Sequence, residues 1–410
     1  MPETLGETVF ERLGAEAGTL RGTNQSGMRE HNERLFLSLV RQQGALAKSD
    51  LARMTGLSAQ TVSVIMRALE KDGLLLRGEP VRGRIGQPSV PMMLNRDGAF
   101  FLGLKIGRRS TDLTLIDFLG EVRATERYVY PYPTPGAVLR FVREVYARIV
   151  GTLAPELRPR LGGMGVAMPF RMWEWVQMIG APDQAMEAWR DVNLVEALEE
   201  ATGITVYLQN DASSACGAEL VFGKGEKPGN FLYFYFGTFI GGGLVLGGQL
   251  FLGSTGNAAG VGSIPILGRN GQMQSLIASA SMQTLAEAML ANGENAEHIW
   301  EQAEEWHVSP AILNAWMDAA AEGLAWASLS ATALLELDAV LIDGWMPTKV
   351  RAEITRRTAE AMLRLDTAGV VLPQVREGTI GAQARSLGAA AVPLSQRYLI
   401  DQNAMGRATG

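Results

Sequence analysis

Ser49–Lys71 reads SDLARMTGLSAQTVSVIMRALEK, and its pattern predicts two short helices joined by a tight turn. Ser49 is a preferred N-cap residue, because a serine hydroxyl accepts a backbone N–H that the first helical turn leaves unpaired. Gly56 then ends the first helix, since glycine enters the left-handed region without strain. Ser58 caps the second helix in the same way as Ser49 caps the first. The stretch is therefore typical of a helix-turn-helix.

The second helix of this unit has a buried face and an outward face. Its apolar residues recur at helical spacing, which predicts burial of Val62, Ile65, Met66 and Leu69. A capped helix of this size fits the DNA major groove through its outward N-terminal half. We therefore expect DNA contacts from Ser58, Ala59, Gln60, Thr61, Ser63 and Arg67. The alternative is a helical hairpin with no role in DNA binding, because such hairpins are common.

The segments on either side of this unit favour a winged helix. Arg29–Val40 carries apolar residues at helical spacing and predicts a preceding helix. Gly73–Leu76 leads into RGEPVRGRIGQPSV, a turn-rich stretch between apolar runs, as in a β-wing. Arg82 and Arg84 flank a glycine there, and arginines of this kind enter narrow minor grooves, where the negative potential favours a guanidinium. A solvated turn is the alternative for this arginine pair.

The charge distribution agrees with DNA binding. Residues 29–90 hold ten Lys/Arg and six Asp/Glu, a net +4, whereas the whole chain carries −6. A basic segment on an acidic body is the electrostatic footprint of phosphate-backbone binding. We therefore divide the chain into a tail at residues 1–28, a winged helix-turn-helix domain at 29–90 and an acidic body at 91–410.

Composition indicates a cytoplasmic protein with no membrane segment. The chain has one cysteine, Cys216, which excludes internal disulfides and a Cys-rich zinc cluster and fits a reducing compartment. Met1–Thr23 lacks the apolar core of a signal peptide. The most hydrophobic run, Phe231–Leu246, carries four glycines, so a buried hairpin is expected there instead of a membrane span.

The body predicts an α/β architecture with an internal repeat. A strand, a glycine-containing loop, a hairpin and a helix follow one another from Phe101–Ile106 and again from Phe231–Phe236. Two similar halves facing one another would place a ligand in the cleft between them. Helices are expected at Pro135–Gly151, Trp189–Thr202, Ala212–Phe222, Glu294–Trp306, Pro310–Leu334 and Ala382–Ile400.

Two motifs of the body resemble the ROK family, which contains sugar kinases and sugar-responsive repressors. Gly237–Gly243, GTFIGGG, looks like the family's second phosphate loop, and Gln209–Ala212, QNDA, looks like its sugar-binding and catalytic motif. The likeness extends from Gly22–Gln25 to Leu387–Ala391. The resemblance implies a winged helix ahead of a duplicated actin/hexokinase-like, or ribonuclease H-like, kinase fold with a central cleft.

The first phosphate loop departs from the family pattern. ROK kinases have an aspartate there that helps to place the Mg²⁺–ATP phosphates, and Lys105 stands at that position in KIGRRS. A lysine cannot ligate a cation, so it disturbs the metal-assisted electrostatics of phosphoryl transfer. The resemblance therefore implies a body without catalysis and without a cofactor. The alternative is that a nearby carboxylate substitutes for the missing aspartate.

The zinc site of the family is also missing. Ser263 stands at the family's histidine, and Gly268, Asn270 and Ser275 stand at its three cysteines. Zinc requires thiolate or imidazole ligands, so we expect no metal and a segment held by packing alone.

The sugar-binding residues of the family are only partly present. Gly260 and Ile277 replace two glutamates, whereas Asn210 and Asp211 remain. The candidate effector-binding residues are Asn210, Asp211, Gly260 and Ser263. We interpret Asp211 as a hydrogen-bond acceptor for a polyol, with the alternative that it only caps the following helix, since Asp is a preferred cap. The glycines of Gly237–Gly243 could equally serve hairpin geometry alone.

Together these features predict a sequence-specific DNA-binding transcriptional regulator, a repressor of carbohydrate-related genes, and not an enzyme. Its expected partners are double-stranded DNA with a palindromic operator, a small sugar or polyol effector, and further copies of itself in a homodimer or homotetramer. One alternative is an active ATP-dependent sugar kinase of the ROK family. The other is a DNA-binding protein whose kinase-like body only oligomerises.

Overall fold

The computed structural model describes residues 25–80, 90–170, 172–175, 181–268 and 271–400. These residues form a three-helix head with a two-stranded wing, followed by a body built around two five-stranded mixed sheets. The predicted fold class, an α/β chain with a winged helix-turn-helix ahead of a duplicated actin/hexokinase-like body, is confirmed.

The head contains three helices and the base of the wing. Its elements are α1 (Gln25–Gln43), α2 (Lys48–Thr55), α3 (Ala59–Lys71), β1 (Leu75–Arg77) and β2 (Met92–Leu94). β1 and β2 are antiparallel, with Leu75 opposite Leu94. α1 begins at Gln25, inside the stretch that the sequence assigns to the tail.

The predicted cap at Ser49 is wrong. α2 begins at Lys48, after Ala47 in an extended conformation with no side-chain cap. The reason is tertiary: Leu46 exchanges two backbone hydrogen bonds with Met92 of the wing, at 3.0 and 2.8 Å, and this fixes where the chain turns into the helix. Gly56 ends α2 at φ +69°, as predicted.

The first lobe of the body is a mixed sheet with helices. Its elements are β3 (Phe100–Ile106), β4 (Ser110–Asp117), β5 (Val122–Val129), α4 (Pro135–Gly151), β6 (Leu161–Met168), α5 (Asp183–Glu187), α6 (Leu194–Thr202), β7 (Val206–Asn210) and α7 (Asp211–Phe222). The strand order is β5-β4-β3-β6-β7. β4 is antiparallel to both β3 and β5, whereas β6 is parallel to both β3 and β7.

The second lobe repeats this topology. Its elements are β8 (Phe231–Phe236), β9 (Ile240–Leu246), β10 (Gln249–Phe251), β11 (Pro265–Leu267), β12 (Met273–Ser275), α8 (Met282–Ala291), α9 (His298–Glu301), α10 (Pro310–Leu335), β13 (Ala339–Gly344), α11 (Thr348–Met362), β14 (Gln374–Glu377) and α12 (Ala384–Tyr398). The order β10-β9-β8-β13-β14 has the same strand directions as the first sheet. The predicted internal repeat is therefore confirmed.

Two predicted helices differ from the structure. The helix expected at Trp189–Thr202 begins at Leu194, where the side chain of Asn193 accepts the backbone N–H of Glu196 at 3.3 Å. The helix expected at Glu294–Trp306 is only the single turn of α9. The imidazole of His298 accepts the backbone N–H of His307 at 3.0 Å, so the chain folds back instead of continuing the helix.

Helices α7 and α12 cross between the two lobes. α7 follows the first sheet but packs against β8 and β9, and α12 follows the second sheet but packs against β3 and β6. Glycines make this exchange possible. A Cβ added at Gly388 would lie 1.8 Å from the carbonyl oxygen of Ser214, and one at Gly165 would lie 1.8 Å from that of Ala389. Backbone therefore meets backbone where the lobes join.

The head packs directly on the body through α1 and the end of α12. The backbone N–H of Ile400 donates to the hydroxyl of Ser38 at 3.0 Å. The guanidinium of Arg41 lies over the ring of Phe118 at 5.3 Å, and Tyr398 packs edge-on against the same ring at 5.1 Å. One continuous apolar cluster extends from the head into the body.

Gly388→Ala should destabilise the protein by about 1–3 kcal/mol or more, because the added methyl group would overlap the Ser214 carbonyl in a contact between two packed helices. Urea unfolding followed by circular dichroism measures this loss.

Gly136→Ala is the matched control, because a Cβ at that position in α4 meets no atom of the described structure within 4 Å. This change should leave the stability unchanged or raise it by less than the roughly 0.5–1 kcal/mol of a helix interior, because Gly136 is only the second residue of α4. Equal stability of the two variants would contradict the close crossing of α7 and α12.

Candidate nucleic-acid interface and interlobe site

Helix α3 presents the residues that the sequence assigns to DNA. The hydroxyl of Ser58 accepts the backbone N–H of Thr61 at 3.2 Å and so caps the helix as predicted. The buried face consists of Val62, Ile65, Met66 and Leu69, also as predicted. On the other side Ala59, Gln60 and Arg67 are exposed, and Thr61 and Ser63 are half-buried.

Arg67 is the cation of this outward face. Its Nε donates to the backbone carbonyl of Ser63 at 3.1 Å, which holds the side chain along the helix. Arg77 on the wing differs, because it is paired with Glu70 at 2.7 Å. Arg82 and Arg84, the predicted minor-groove pair, lie outside the described residues. The assignment of all these residues to DNA stays a prediction.

Asn210, at the end of β7, caps α7. Its side-chain oxygen accepts the backbone N–H groups of Ala212 and Ser213 at 2.9 and 3.2 Å. Its amide nitrogen donates to the side-chain oxygen of Asn257 at 3.1 Å. The alternative that Asp211 caps this helix is therefore wrong, since Asp211 is its first helical residue.

The carboxylate of Asp211 is directed into the cleft between the lobes. It pairs with the guanidinium of Arg385 on α12 at 3.3 Å, and both side chains are about 13–14% exposed. Arg385 also lies over the ring of Tyr235 at 5.0 Å. Asp211 is thus an acceptor already engaged by a cation, and a bound hydroxyl would share it with Arg385.

The other two predicted effector residues lie in a separate turn. Gly260 precedes the short 3-10 helix Val261–Ser263, and both Gly260 and Ser263 are exposed. Among the described residues, neither of them makes a hydrogen bond or ion pair with Asn210 or Asp211. The same loop reaches Asn210 through Asn257 instead. The sequence offers little signal for Asn257, because one amide in a glycine-rich loop has no distinguishing pattern.

Lys105 stands on β3 at the first phosphate loop. Its ammonium donates to the hydroxyl of Ser110 at 2.7 Å and pairs with Asp112 at 3.1 Å. Asp112 also pairs with Arg127 at 3.4 Å. A carboxylate is therefore near Lys105, as the alternative interpretation requires. However, two cations neutralise it, which leaves little negative charge for a metal ion.

Three arginines of the first lobe reach aromatic rings of the second. Arg108 lies over Phe239 at 4.4 Å, Arg109 lies over Trp300 at 4.7 Å, and Arg127 lies over Trp345 at 4.9 Å. Cation–π contacts of this kind are worth about 0.5–2 kcal/mol each. Sequence reasoning missed these contacts, although the adjacent Arg108 and Arg109 in the loop were visible.

The second phosphate loop is shorter than the motif suggests. β8 ends at Phe236 and β9 begins at Ile240, so Gly241, Gly242 and Gly243 belong to a strand. A Cβ at Gly243 would lie 2.2 Å from that of Cys216 on α7. Gly241 and Gly243 therefore let α7 pack closely on β9, whereas Gly242 faces Val261.

The segment that matches the family's zinc motif forms the β11–β12 hairpin. Ser263 and Ser275 are exposed, whereas Ile266 and Leu276 are buried against α10. Asn270 lies outside the described residues. No cluster of His, Cys, Asp and Glu suited to a metal occurs in the part of the chain that the structure describes.

Fold and cleft define a class of protein: a winged helix-turn-helix head joined to a two-lobed body of the sugar-kinase type. The family model described as "ROK family" matches residues 101–394, and the model described as "Winged helix-turn-helix DNA-binding" matches residues 31–75. The chain belongs to the ROK family.

Similar proteins include both regulators and kinases. The chain is 22% identical to the xylose repressor of Bacillus spizizenii over 59% of its length, and this match spans 62% of the repressor, less than two thirds. A crystal structure of a ROK family transcriptional regulator, a homologue of the Escherichia coli MLC protein, superposes with a TM-score of 0.63 at 21% identity, covering 90% of this chain and 96% of that one.

The fold is also that of a kinase. A ROK family glucokinase from Streptomyces griseus in complex with glucose and AMPPNP superposes with a TM-score of 0.54 at 20% identity, covering 72% of this chain and 99% of that one. None of the helices that the structure describes has the length and apolar character needed to cross a membrane.

Lys105→Met should remove a pH dependence of folding. Burial lowers the pKa of Lys105 from 10.5 to about 8. Between these values the unfolded chain binds a proton that the folded chain has lost, so this group makes stability rise with pH through that window. Across this window the free energy of unfolding of the wild type should rise by up to about 3 kcal/mol relative to that of the variant, at about 1.4 kcal/mol per pH unit.

Urea unfolding at a series of pH values between about 7 and 10.5 measures this difference, since the window follows from the two pKa values. Lys349→Met is the control, because Lys349 is exposed on α11. Parallel curves of stability against pH for the wild type and Lys105→Met would show that the buried ammonium is not the source of the pH dependence.

Proposed function

We propose that this chain is a DNA-binding transcriptional repressor whose kinase-like body senses a sugar or related polyol. The observation that carries the proposal is the combination of two surfaces. α3 presents a polar face with a cation, whereas the cleft of the body holds Lys105 where a kinase of this family needs a metal-binding carboxylate, with arginines around it. The names of the relatives support this function. A sugar in the name of a relative describes that relative, and it is not carried over to this chain.

DNA contacts are proposed for Ser58, Ala59, Gln60, Thr61, Ser63 and Arg67, with Arg82 and Arg84 on the wing. Residues 29–90 would act as the reading unit, and residues 91–410 as the effector and oligomerisation unit, in the cytoplasm. Gln60 is exposed at the first turn of α3, where the recognition helix of this motif contacts base edges.

The effector site is proposed at Asn210 and Asp211, with Gly260 and Ser263 on the facing loop. A polyol hydroxyl that donates to the Asp211 carboxylate would compete with Arg385, which now holds that oxygen at 3.3 Å. Arg385 belongs to the first turn of α12, so a ligand here acts on the position of that helix.

α12 supplies a route from the cleft to the head. The helix has 15 residues and is therefore about 22 Å long. Its first turn carries Arg385 in the cleft, and its last residue, Tyr398, packs on Phe118 beneath α1. A ligand that binds one arrangement of α12 more tightly shifts the population toward the corresponding placement of the head.

A homodimer or homotetramer on a palindromic operator fits this arrangement. Two recognition helices must match two half-sites, so a small rotation of the heads lowers the affinity for DNA. The exposed apolar side chains of Leu290 on α8 and of Trp326 and Leu334 on α10 support these helices as the contact between subunits.

No enzymatic activity is proposed. In a kinase of this fold an aspartate accepts the proton of the attacked hydroxyl and a metal holds the ATP phosphates. Here Arg385 engages Asp211, and Lys105 with Arg127 neutralises Asp112.

Gln60→Ala and Arg67→Gln should weaken DNA binding in different ways. Gln60→Ala should cost about 1–3 kcal/mol on a selected operator, because it removes a base contact. Arg67→Gln should weaken binding to all duplexes and reduce the salt slope by about 1, because it removes one phosphate contact. Fluorescence anisotropy over a series of salt concentrations, with an operator selected from a random duplex pool, measures both effects.

Arg356→Gln is the control for these variants. Arg356 is exposed on α11 of the second lobe, and its replacement removes the same charge outside the helix-turn-helix. If all three variants bind the operator with the affinity of the wild type, α3 is not the helix that reads DNA.

Asp211→Asn should abolish the response to a sugar. We expect one member of a panel of pentoses, hexoses and polyols to stabilise the wild type by about 2.7 kcal/mol at 100 times its dissociation constant. The same compound should release the selected operator, and Asp211→Asn should show neither effect. Thermal unfolding and anisotropy are the two measurements.

Silence of the whole panel would favour the rival in which the body only oligomerises. Release of ADP from ATP with any of these sugars at ordinary enzymatic rates, lost in Asp211→Asn, would establish the kinase alternative instead.

A further inference from the structure

Arg41, in the last turn of α1, inserts its guanidinium between two aromatic rings of the body. It lies over the ring of Phe118 at 5.3 Å and over the ring of Phe222 at 5.8 Å, both within the roughly 6 Å of a cation–π contact. It also donates to the backbone carbonyl of Phe118. One cation of the head therefore contacts two separate elements of the body, the turn after β4 and the end of α7.

The charge of Arg41 has no carboxylate partner. In the described part of the chain no ion pair joins Arg41 to an acid, and its Nε is buried without a hydrogen-bond acceptor. Asp117 attracts it at longer range but is paired with Arg96 at 3.3 Å and with Arg123 at 3.4 Å. Burial lowers the pKa of Arg41 from 12.5 to about 10. Because removing an unpaired charge from water costs free energy, stability alone gives little reason for an arginine here.

Both crossing helices connect the cleft to this arginine. α7 runs from Asp211 to Phe222, and its 12 residues span about 18 Å. α12 carries Arg385 in its first turn and ends at Tyr398, whose ring packs edge-on against Phe118 at 5.1 Å. Asp211 and Arg385 form the ion pair of the cleft at 3.3 Å. The ion pair therefore lies at one end of the two helices, and the rings around Arg41 lie at the other.

The end of α7 is tightly packed. A Cβ added at Gly120, in the turn after β4, would lie 2.4 Å from the ring of Phe222. The ammonium of Lys227 donates to the carbonyl of Leu220 in the last turn of the helix at 2.6 Å. Close-packed groups of this kind transmit a displacement instead of absorbing it. A shift of α7 therefore changes the position of Phe222 relative to Arg41.

Arg41 is also joined to the helix proposed to contact DNA. α1 packs on α3. Phe36 and Val40 of α1 are buried in the same apolar cluster as Ile65 and Leu69 of α3. A displacement of α1 therefore acts on the orientation of α3.

We propose that Arg41 is the positioning residue that couples the cleft of the body to the DNA-binding head. A change at the Asp211–Arg385 pair moves the far ends of α7 and α12, and Arg41 transmits that movement to α1 and α3. The inference rests on the proposed function, because it concerns how the site at Asp211 regulates the head.

Hydrogen–deuterium exchange on the full chain, measured by mass spectrometry without ligand or DNA, tests this role. Asp211→Asn perturbs the cleft pair and should change the exchange rate of α1 amides at least roughly threefold. In an Arg41→Met background the same change should still alter exchange in α7 and α12 but should leave α1 unchanged. Methionine is chosen because its flexible apolar side chain can fill the space between the rings.

Two further variants separate coupling from a purely structural role. Arg41→Lys keeps the cation and should retain part of the response of α1, which also keeps the test valid if Arg41→Met fails to fold. Arg29→Met removes the same charge from an exposed position of α1, where Arg29 pairs with Glu33 at 2.8 Å. This control should respond to Asp211→Asn like the wild type. Urea unfolding of every variant shows whether the fold is retained.

An α1 helix that ignores Asp211→Asn in the presence of Arg41, or that responds equally with and without it, would overturn the proposal. Operator binding, measured by anisotropy on the same samples, separates this outcome from a failure of the proposed function. A wild type that binds its selected operator without transmission to α1 refutes the coupling role alone. Transmission in a protein that binds no duplex refutes the DNA-binding function alone.

Discussion

The crossing of α7 and α12 is the constraint on which the rest of the molecule depends. Each helix follows one lobe in the chain and packs on the other, and they meet where Gly388 touches the Ser214 carbonyl. Because this contact has no room for even a methyl group, the position of α12 is coupled to that of α7. This crossing places Asp211 and Arg385 together in the cleft and Tyr398 beneath the head.

The cleft between the lobes is lined by charged side chains that pair with one another. Lys105 lies at the position that the family resemblance assigns to a metal-binding aspartate, and Asp112 beside it pairs with both Lys105 and Arg127. Arginines from one lobe stack on aromatic rings from the other. The fold of a kinase is thus retained, and Lys105 and several arginines line the cavity between its lobes.

Much of the fold could be predicted because its signals are local. Helical periodicity gave the buried face of α3, and Gly56 gave the end of α2. The cap at Ser49 was wrong because a contact with the wing, distant in sequence, set the start of the helix. α9 was overestimated because the interaction of His298 with His307 closes the chain on itself. β14 was missed because it is a four-residue strand with mostly polar residues.

The sequence by itself determined three features of the protein. They are a basic helix-turn-helix, a duplicated α/β body, and a first phosphate loop with Lys105 at the position of the family's aspartate. These follow from composition, spacing and single substitutions. Only the tertiary structure decided which side chains share the cleft. Asp211 and Arg385 are 174 residues apart in the chain, and Arg109 meets Trp300 across two lobes. Such contacts depend on how the two lobes pack against one another, and no local sequence pattern predicts the distance between residues of different lobes.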